Sequence, residues 1–443
     1  MKRFVRAARM WSWLTAMLPC LAVLQLNGAE AKPCAEGRFR GRIADSADGN
    51  HNDPDDWIAS PMTLAILAEA ALEDRLIHFD YNSILPQTNP AWEKTHAESV
   101  LGAAERHGFD KSRFFDCRKN LEAALASIAQ AINDSSKENP LFFLRAGAME
   151  VPHRRILKSD PTKRQFVYCI SHSRWNDGFA SNYPSAFTQR SVIELEVRWV
   201  QIRDQNRLLS FGRYGRPAPS KEFAPYLWMR DSPDAKVRWL WERMLVSTRP
   251  DPSDAGMTYF LVTADEECQP AKLRRLLEAH EPPPTTTVRK QVRVEAENFR
   301  RLAGFVIEDR KDRDASHELS IRLDRRASGS IRTRFVEPFT PAVGRYDVQI
   351  RFFDEPGHRC RLAFFVNGVA RGAGWESAGD GRGWTSHAVR GVEVRVGDEL
   401  RVDAEGPESR LDYVQLDYLS YGDPPEHRRD ADSPGGAPGP ETK

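Results

Sequence analysis

The 443-residue sequence lacks the charge excess and the short motifs that mark several large classes of protein. Its 64 Lys and Arg residues nearly cancel its 63 Asp and Glu residues. The resulting net charge of +1 argues against a nucleic-acid-binding protein, which usually carries a basic excess. The sequence has no Gly-x-Ser-x-Gly turn and no phosphate-binding loop, so neither a serine hydrolase nor a nucleotide enzyme is indicated. It also has no internal repeat.

Cysteine is scarce and is not spaced for metal binding. The chain has six cysteines, and Cys20 falls in the N-terminal segment. The other five are widely separated, at Cys34, Cys117, Cys169, Cys268 and Cys360. An oxidising compartment would allow one or two disulfides, and buried free thiols are the alternative.

Only the N-terminus carries a long apolar run. A basic stretch from Lys2 to Arg9 precedes apolar residues 11–26, and Ala29-Glu30-Ala31 has the small-x-small pattern of a cleavage site. Residues 1–31 are therefore predicted to be a signal peptide, and the mature protein to be secreted or periplasmic. A membrane anchor is the alternative, but the run is short for a span, so we expect no stable membrane insertion after cleavage.

Composition divides the remaining chain into two parts. Residues 281–290 contain a Pro/Thr-rich stretch typical of a stiff linker, and residues 422–443 have the composition of a disordered tail. We therefore expect one domain over residues 32–280 and another over residues 291–421.

The first part alternates strand and helix patterns. Strands are predicted at 41–46, 76–81, 140–144, 166–170, 194–200 and 258–262, and helices at 61–72, 96–107, 120–133, 235–245 and 271–280. This alternation predicts an α/β domain with a mostly parallel sheet and helices on both faces. Sites in such domains lie beyond the carboxyl ends of the strands.

The second part has a different pattern. Short runs with period-2 alternation occur at 291–296, 318–323, 330–335, 345–353, 361–366, 391–396, 399–403 and 411–419. Turn residues such as Asn367-Gly368 separate these runs. The pattern predicts a jelly-roll-like, all-β sandwich.

An acidic loop follows the first predicted strand. Residues 45–57 read DSADGNHNDPDDW, with five carboxylates between a strand and a helix. Like charges this close repel one another by roughly 1 kcal/mol or more per close pair where solvent is partly excluded. A hard cation bound by oxygen, such as Ca²⁺, would offset that repulsion. A solvated acidic loop that caps the helix is the alternative.

The motif from Asp48 to Asp56, which includes Asp-Pro-Asp-Asp, resembles the N-terminal aspartate cluster of the nucleoside hydrolase superfamily. The segments at 140–150, 170–177 and 252–255 follow in the order of that family's later landmarks. The resemblance covers about residues 40–280 and implies a calcium-dependent hydrolase of glycosidic bonds.

The resemblance also implies roles for individual residues. Asp48 would bind the metal and accept a proton from the attacking water, and Asp55 would bind sugar hydroxyls. Asp56, Asp254 and the backbone carbonyl of Glu150 would be further metal ligands.

A polar group follows the strand predicted at 166–170. We interpret it as a sugar subsite, with an aromatic side chain for a pyranose ring and polar side chains for hydroxyl groups. Its members are His172, Trp175, Asn176 and Asp177. An ordinary polar loop with one structural tryptophan is the alternative.

The second part resembles the β-sandwich carbohydrate-binding modules that begin with Glu-Ala-Glu and end in an Asp-Tyr strand. Residues 294–299, 344–351, 365–368, 383–384 and 411–414 carry the resemblance. It implies a structural calcium at Glu295, Glu297 and either Asp412 or Asp417. It also implies that Trp384, in an edge loop, stacks on a sugar ring; loop packing is the alternative.

Together these patterns predict a secreted, metal-dependent glycoside hydrolase that acts on a polysaccharide or its oligosaccharides. Two Ca²⁺ ions are expected, one in each domain, together with a carbohydrate ligand and no nucleic acid. A non-catalytic glycan-binding protein and a true nucleosidase are the alternatives.

Overall fold

The computed structural model describes residues 41–51, 54–178, 187–280, 289–308, 312, 314–325 and 327–421. The predicted signal peptide, most of the linker and the predicted tail lie outside these residues. Within them, no helix combines the length and the apolar character needed to cross a membrane.

The first part of the chain contains six strands and eleven helices among the described residues. The strands are Arg42–Ala47 (β1), Leu76–Tyr81 (β2), Phe114–Asp116 (β3), Leu141–Ala146 (β4), Val167–Ser171 (β5) and Arg198–Gln201 (β6). The helices are Asp56–Glu69 (α1), Pro90–His107 (α2), Leu121–Asn133 (α3), Glu150–Lys158 (α4), Arg174–Gly178 (α5), Gln189–Ile193 (α6), Asn206–Leu209 (α7), Leu227–Arg230 (α8), Ala235–Val246 (α9), Ala255–Thr263 (α10) and Pro270–Leu277 (α11).

The six strands form one parallel sheet in the order β3-β2-β1-β4-β5-β6. All six residues of β4 are buried, and alternate residues enter different cores. Phe142 and Leu144 pack with the core that contains α1, α9 and α10, whereas Leu141 and Phe143 pack with α3 and α4. Because side chains alternate across a strand, helices cover both faces of the sheet, and the α/β prediction is confirmed.

Two local predictions in this part are wrong. Residues 258–262 are not a strand but belong to α10, a helix whose nine residues are all buried. A helix that is buried on every side has no apolar stripe, so a short apolar run does not distinguish it from a buried strand. Helix α1 begins at Asp56 rather than near Pro61, which lies inside it.

Eleven strands lie in the described residues of the second part of the chain. They are Gln291–Glu295 (β7), Arg301–Ala303 (β8), Phe305–Glu308 (β9), Ser320–Leu323 (β10), Ser328–Arg334 (β11), Val343–Asp354 (β12), Arg361–Val366 (β13), Val369–Glu376 (β14), Gly383–Arg395 (β15), Glu399–Glu405 (β16) and Arg410–Tyr421 (β17).

These strands form two antiparallel sheets. One has the order β15-β12-β17-β10-β9, with β7 also paired to β17, and the other has the order β14-β13-β16-β11-β8. Residues of β12 are alternately buried and half-exposed, as the period-2 pattern predicted. One core of buried side chains from both sheets lies between them, so the predicted β-sandwich is confirmed.

The α/β part and the sandwich pack directly against each other. The Arg289 guanidinium, 2% exposed, donates to Glu266 of the α/β part at 2.6 Å and to Glu337 of the sandwich part at 2.7 Å. Phe339 stacks on Phe142 of β4 with ring centroids 6.1 Å apart. Buried charges and aromatic rings therefore hold the two parts together.

A buried ion pair joins β2 to α4. Arg155 and Asp80 are both fully buried, and their side chains approach to 2.5 Å. Asp80 also accepts from Ser46 of β1 at 2.8 Å. The nearby arginine holds the pKa of Asp80 below its ordinary value, against the effect of burial. The charge of Asp80 therefore depends on Arg155.

Replacing Arg155 with methionine should lower the free energy of unfolding by about 3–5 kcal/mol, because it leaves a buried carboxylate without its partner. Chemical denaturation measures the change. Lys158→Met is the matched control on the same helix, since its pair with Glu122 is exposed, and it should cost about 1 kcal/mol or less. Equal losses in the two variants would contradict this assignment.

Candidate metal centre and polar site

The candidate site lies where the strand order of the parallel sheet reverses. Strands β2 and β3 lie on one side of β1, and β4, β5 and β6 lie on the other. Ligands bind in the crevice at such a switch point, outside the carboxyl ends of the strands. Asp48 follows β1 and Gly147 follows β4, and a side chain at Gly147 would lie 2.8 Å from the Asp48 Cβ. Glycine therefore lets β4 approach the first aspartate of the acidic loop.

Three carboxylates meet at this crevice. Asp55, Asp56 and Asp254 each offer one ligand atom, and these atoms all lie within 4.8 Å of one another. Asp55 caps α1 by accepting from the Asp56 N–H at 2.8 Å, and Asp254 precedes α10. Helices α1 and α10 pack together, which brings residues almost 200 positions apart into one cluster.

The cluster contains a buried carboxylate oxygen that accepts no hydrogen bond from the described residues. Asp56 is fully buried; its Oδ2 accepts from the Asp48 N–H at 2.7 Å, and its Oδ1 has no hydrogen-bond partner among the described residues. Burial and the charges of Asp48 and Asp254 raise the pKa of Asp56 well above its ordinary value. Burial and the charges of Asp80 and Asp254 likewise raise the pKa of Asp45 in β1. A bound cation would relieve this repulsion.

His172 holds one of these carboxylates in place. It follows β5, is buried, and its Nε2–H donates to Asp254 Oδ1 at 2.7 Å. Its Nδ1 lies 3.8 Å from Asp204 Oδ1. Burial alone would lower the pKa of His172, but Asp204 and Asp254 outweigh it and raise the pKa to about 9. Asn176 also donates to Asp254 Oδ1, at 3.2 Å. Two predicted sugar-contacting residues thus contact the carboxylate cluster.

The other two residues of that predicted subsite have different environments. Asp177 is buried and accepts from Ser171 at 2.6 Å, and burial raises its pKa to about 7. Trp175 is half-buried and packs against Ile84 and Ala148. Asp177 is therefore a carboxylic acid whose pKa lies near neutral pH, while Trp175 packs on two buried apolar side chains.

Glu150 occupies the first turn of α4. Its carboxylate pairs with Arg154, and its backbone carbonyl points along the helix axis, as in any first helical residue. The metal-binding role that the resemblance implies for this carbonyl stays a prediction.

The sandwich acids are buried beside one another. Glu295 Oε1 accepts from Ser316 Oγ at 3.0 Å, and both oxygens of Asp412 accept from the Ser316 N–H. Burial and the neighbouring carboxylates raise the pKa of Glu295 to about 8 and that of Glu297 well above its ordinary value.

Asp412 also accepts from Arg351 at 2.6 Å, and burial raises its pKa to about 6. Among the described residues, this trio does not form a group as compact as Asp55, Asp56 and Asp254. The structural calcium of the sandwich stays a prediction.

Trp384 lies in a strand rather than in the predicted loop. It is the second residue of β15, an edge strand, and pairs in register with Phe353. Its ring is half-buried and packs edge-on against Phe353, and its Nε1–H donates to Asp312 at 3.1 Å. Arg351 and Arg410 both lie within 5.5 Å of the ring centroid. Protein side chains therefore already surround much of the ring.

The sequence analysis placed one residue of the site differently and missed another. Asp45, counted there in the acidic loop, lies within β1, beside the buried carboxylates of the cluster. Asp204, after β6, faces His172. Its position after a strand of the parallel sheet is the signal that could have indicated it.

The chain is similar to several known proteins, although no family model matches it. It is 29% identical over 242 residues to Uncharacterized protein P22 from Formosa agariphila, a match that covers 51% of this chain and 84% of that protein. A GH26-CBM35 β-(1,4)-mannanase from Podospora anserina is 19% identical, with a TM-score of 0.25 over 31% of this chain and 29% of that chain.

A family 35 carbohydrate-binding module from Clostridium thermocellum is 15% identical, with a TM-score of 0.24 over 28% of this chain and 96% of that chain. These two structural matches each cover less than a third of this chain, and the chain spans only about 29% of the mannanase.

Calcium should stabilise the full chain, and Asp56→Asn should remove part of that effect. At a hundredfold excess over Kd, one bound ion adds about 2.7 kcal/mol and should raise Tm by roughly 5 °C. Thermal unfolding with calcium or with chelator measures the shift, and calorimetry counts the ions. Asp74→Asn, at an exposed position, is the control. Identical calcium binding by wild type and Asp56→Asn would exclude the cluster as a metal site.

Proposed function

We propose that this chain is a metal-dependent hydrolase of glycosidic bonds, with a nucleoside hydrolase-like α/β part. The observation that carries the proposal is the compact group of Asp55, Asp56 and Asp254 at the switch point of a parallel sheet. Asp48 lies beside this group, as its backbone hydrogen bond to Asp56 shows. Carboxylates in such a crevice serve either to bind a cation or to transfer protons, and hydrolysis uses both.

The residues fit a hard cation such as Ca²⁺. Asp55, Asp56 and Asp254 would hold it, with Asp48 beside them. The Oδ1 of Asp56 has no hydrogen-bond partner among the described residues and could serve as a ligand atom. A bound calcium would supply positive charge that orients water and lowers its pKa.

The chain's own residues supply the remaining functions. In this proposal Asp48 would accept a proton from water, and Asp55 would bind a sugar hydroxyl. His172 and Asn176 fix Asp254 through hydrogen bonds at 2.7 Å and 3.2 Å. Asp177, with its pKa raised to about 7, is the candidate acid that protonates the leaving group. Glycoside hydrolysis requires one carboxylic acid that donates a proton and a second carboxylate that stays ionised.

The choice of a carbohydrate substrate rests on the sandwich. Its sequence motifs resemble Glu-Ala-Glu carbohydrate-binding modules, and its fold is the two-sheet sandwich that those motifs imply. With the exported location that the N-terminal sequence predicts, this supports an extracellular or periplasmic polysaccharide, or its oligosaccharides, as the substrate.

Hydrolysis can be tested on aryl glycosides, polysaccharides and nucleosides, each with calcium or with chelator. Wild type should release reducing sugar from at least one glycan only with calcium, and Asp56→Asn should lower kcat by about 10²-fold or more. Asp74→Asn should match wild type. Calcium-dependent ribose release from nucleosides alone would instead indicate a nucleosidase, and the absence of any turnover would refute the proposal.

The proposed acid predicts a pH dependence. Because Asp177 must be protonated to donate, kcat/KM should fall as the pH rises through about 7. Asp177→Asn should lower the rate by about 10²–10⁴-fold and abolish this alkaline limb, which a pH–rate profile measures. An unchanged alkaline limb in the variant would assign the acid to another group.

A further inference from the structure

We propose that the cleft between the α/β part and the sandwich binds the substrate, and that it takes a neutral oligosaccharide several sugar units long. This inference rests on the proposed function and deepens it. It assigns the sandwich a direct role in binding the chain whose bond is cleaved, instead of a role as a separate anchor.

The cleft has walls from both parts of the chain. Its volume is about 1040 Å³, at the upper end of the range for sites that bind small molecules. Asp204 and Arg207, from the segment after β6, lie in one wall. Arg293 of β7 and Tyr413 of β17 lie in the other, with the Arg293 guanidinium 4.1 Å from the centre of the Tyr413 ring. A volume of this size exceeds the needs of a single sugar or nucleoside.

The cleft is connected to the carboxylate cluster through side chains. Asp204 lines the cleft and faces His172, and His172 in turn binds Asp254 of the cluster. From the sandwich, His317 lines the same cleft, and its Nε2 lies 4.0 Å from Glu295. Residues of both parts therefore line the cleft, and buried His172 lies between its Asp204 and the carboxylate cluster.

The charges in the cleft suit a neutral polar ligand. Seven Lys or Arg and seven Asp or Glu side chains line it, so the charges cancel. Several are paired, including Arg174 of the α/β part with Glu318 of the sandwich, an ion pair between the two parts. An anionic ligand would meet as many repulsive as attractive charges, whereas sugar hydroxyls both donate and accept hydrogen bonds and can use either kind of side chain.

The two walls are held in fixed relation. Arg289 bridges Glu266 and Glu337, and Arg190 of α6 donates to the carbonyl of Phe299 at 2.7 Å. A preformed cleft loses little conformational entropy on binding, so only the ordering of the oligosaccharide itself opposes binding in this respect.

Two variants test the inference, one in each wall. Tyr413→Phe removes one hydroxyl from the sandwich wall, and Arg207→Gln removes a largely exposed guanidinium from the other wall. Binding is measured by calorimetry in the full chain carrying Asp56→Asn, which blocks turnover and relieves carboxylate repulsion. The probes are hexasaccharides and disaccharides of four kinds: β-1,4-linked glucose, β-1,4-linked mannose, β-1,4-linked xylose and β-1,3-linked glucose.

Each variant should weaken hexasaccharide binding by about 3- to 10-fold, the effect of one or two hydrogen bonds, and should leave disaccharide binding less affected. Tyr214→Phe and Arg332→Gln, both at exposed positions away from the cleft, are the controls and should leave the affinity unchanged.

The inference is overturned if no hexasaccharide binds, or if both cleft variants bind it like the controls. These experiments distinguish a failure of the cleft as the substrate site from a failure of the proposed hydrolase. Binding that depends on Tyr413 and Arg207, together with no turnover by the chain that retains Asp56, would keep the cleft and exclude hydrolysis. Calcium-dependent hydrolysis whose KM is the same in wild type and in both cleft variants would keep the hydrolase and exclude the cleft as the substrate site.

Discussion

The constraint on which this structure depends is the repulsion among carboxylates that the fold buries together. Two unit charges 4 Å apart repel by about 4 kcal/mol at an effective dielectric constant of 20, so several buried carboxylates would be costly if all were ionised. Burial and this repulsion raise the pKa of Asp45 and Asp56. His172 and Asn176 hold Asp254 in place through hydrogen bonds. Strand order, the glycine after β4 and the packing of α1 on α10 all bring these groups together, which makes the close approach of buried carboxylates the central property of the site.

Much of the fold could be predicted from the sequence because burial leaves regular patterns. The bounds of β2 and β13 match the predicted runs at 76–81 and 361–366, since each run is mostly apolar and turn residues follow it. The failure at 258–262 has a physical cause: α10 is buried on all sides, so only its tertiary contacts distinguish it from a strand. Strand β14 was missed because five of its eight residues are Gly, Ala or Arg and most of the strand is exposed.

Site residues could be predicted only where they lie close together in the sequence or where a family resemblance indicates them. Asp55 and Asp56 are adjacent and follow the first strand, so their clustering could be expected, and the resemblance supplied Asp254. Asp204 and His172 follow two different strands of the sheet, so no short sequence pattern indicates that they lie close together. The loop predicted at Trp384 was wrong because a tryptophan beside glycines suggests an open loop. Strand pairing instead places this tryptophan against Phe353.

The bridge made by Arg289 has a consequence for how the sandwich could contribute to affinity. A module on a flexible tether strengthens binding by raising the effective concentration of its partner domain near a surface, and linker length sets the gain. Here a buried guanidinium fixes the sandwich to the α/β part just after the Pro/Thr-rich stretch, so that stretch cannot set the distance between them. Lengthening or shortening it would leave avidity nearly unchanged. Whatever the sandwich adds to recognition depends on its orientation and not on its reach.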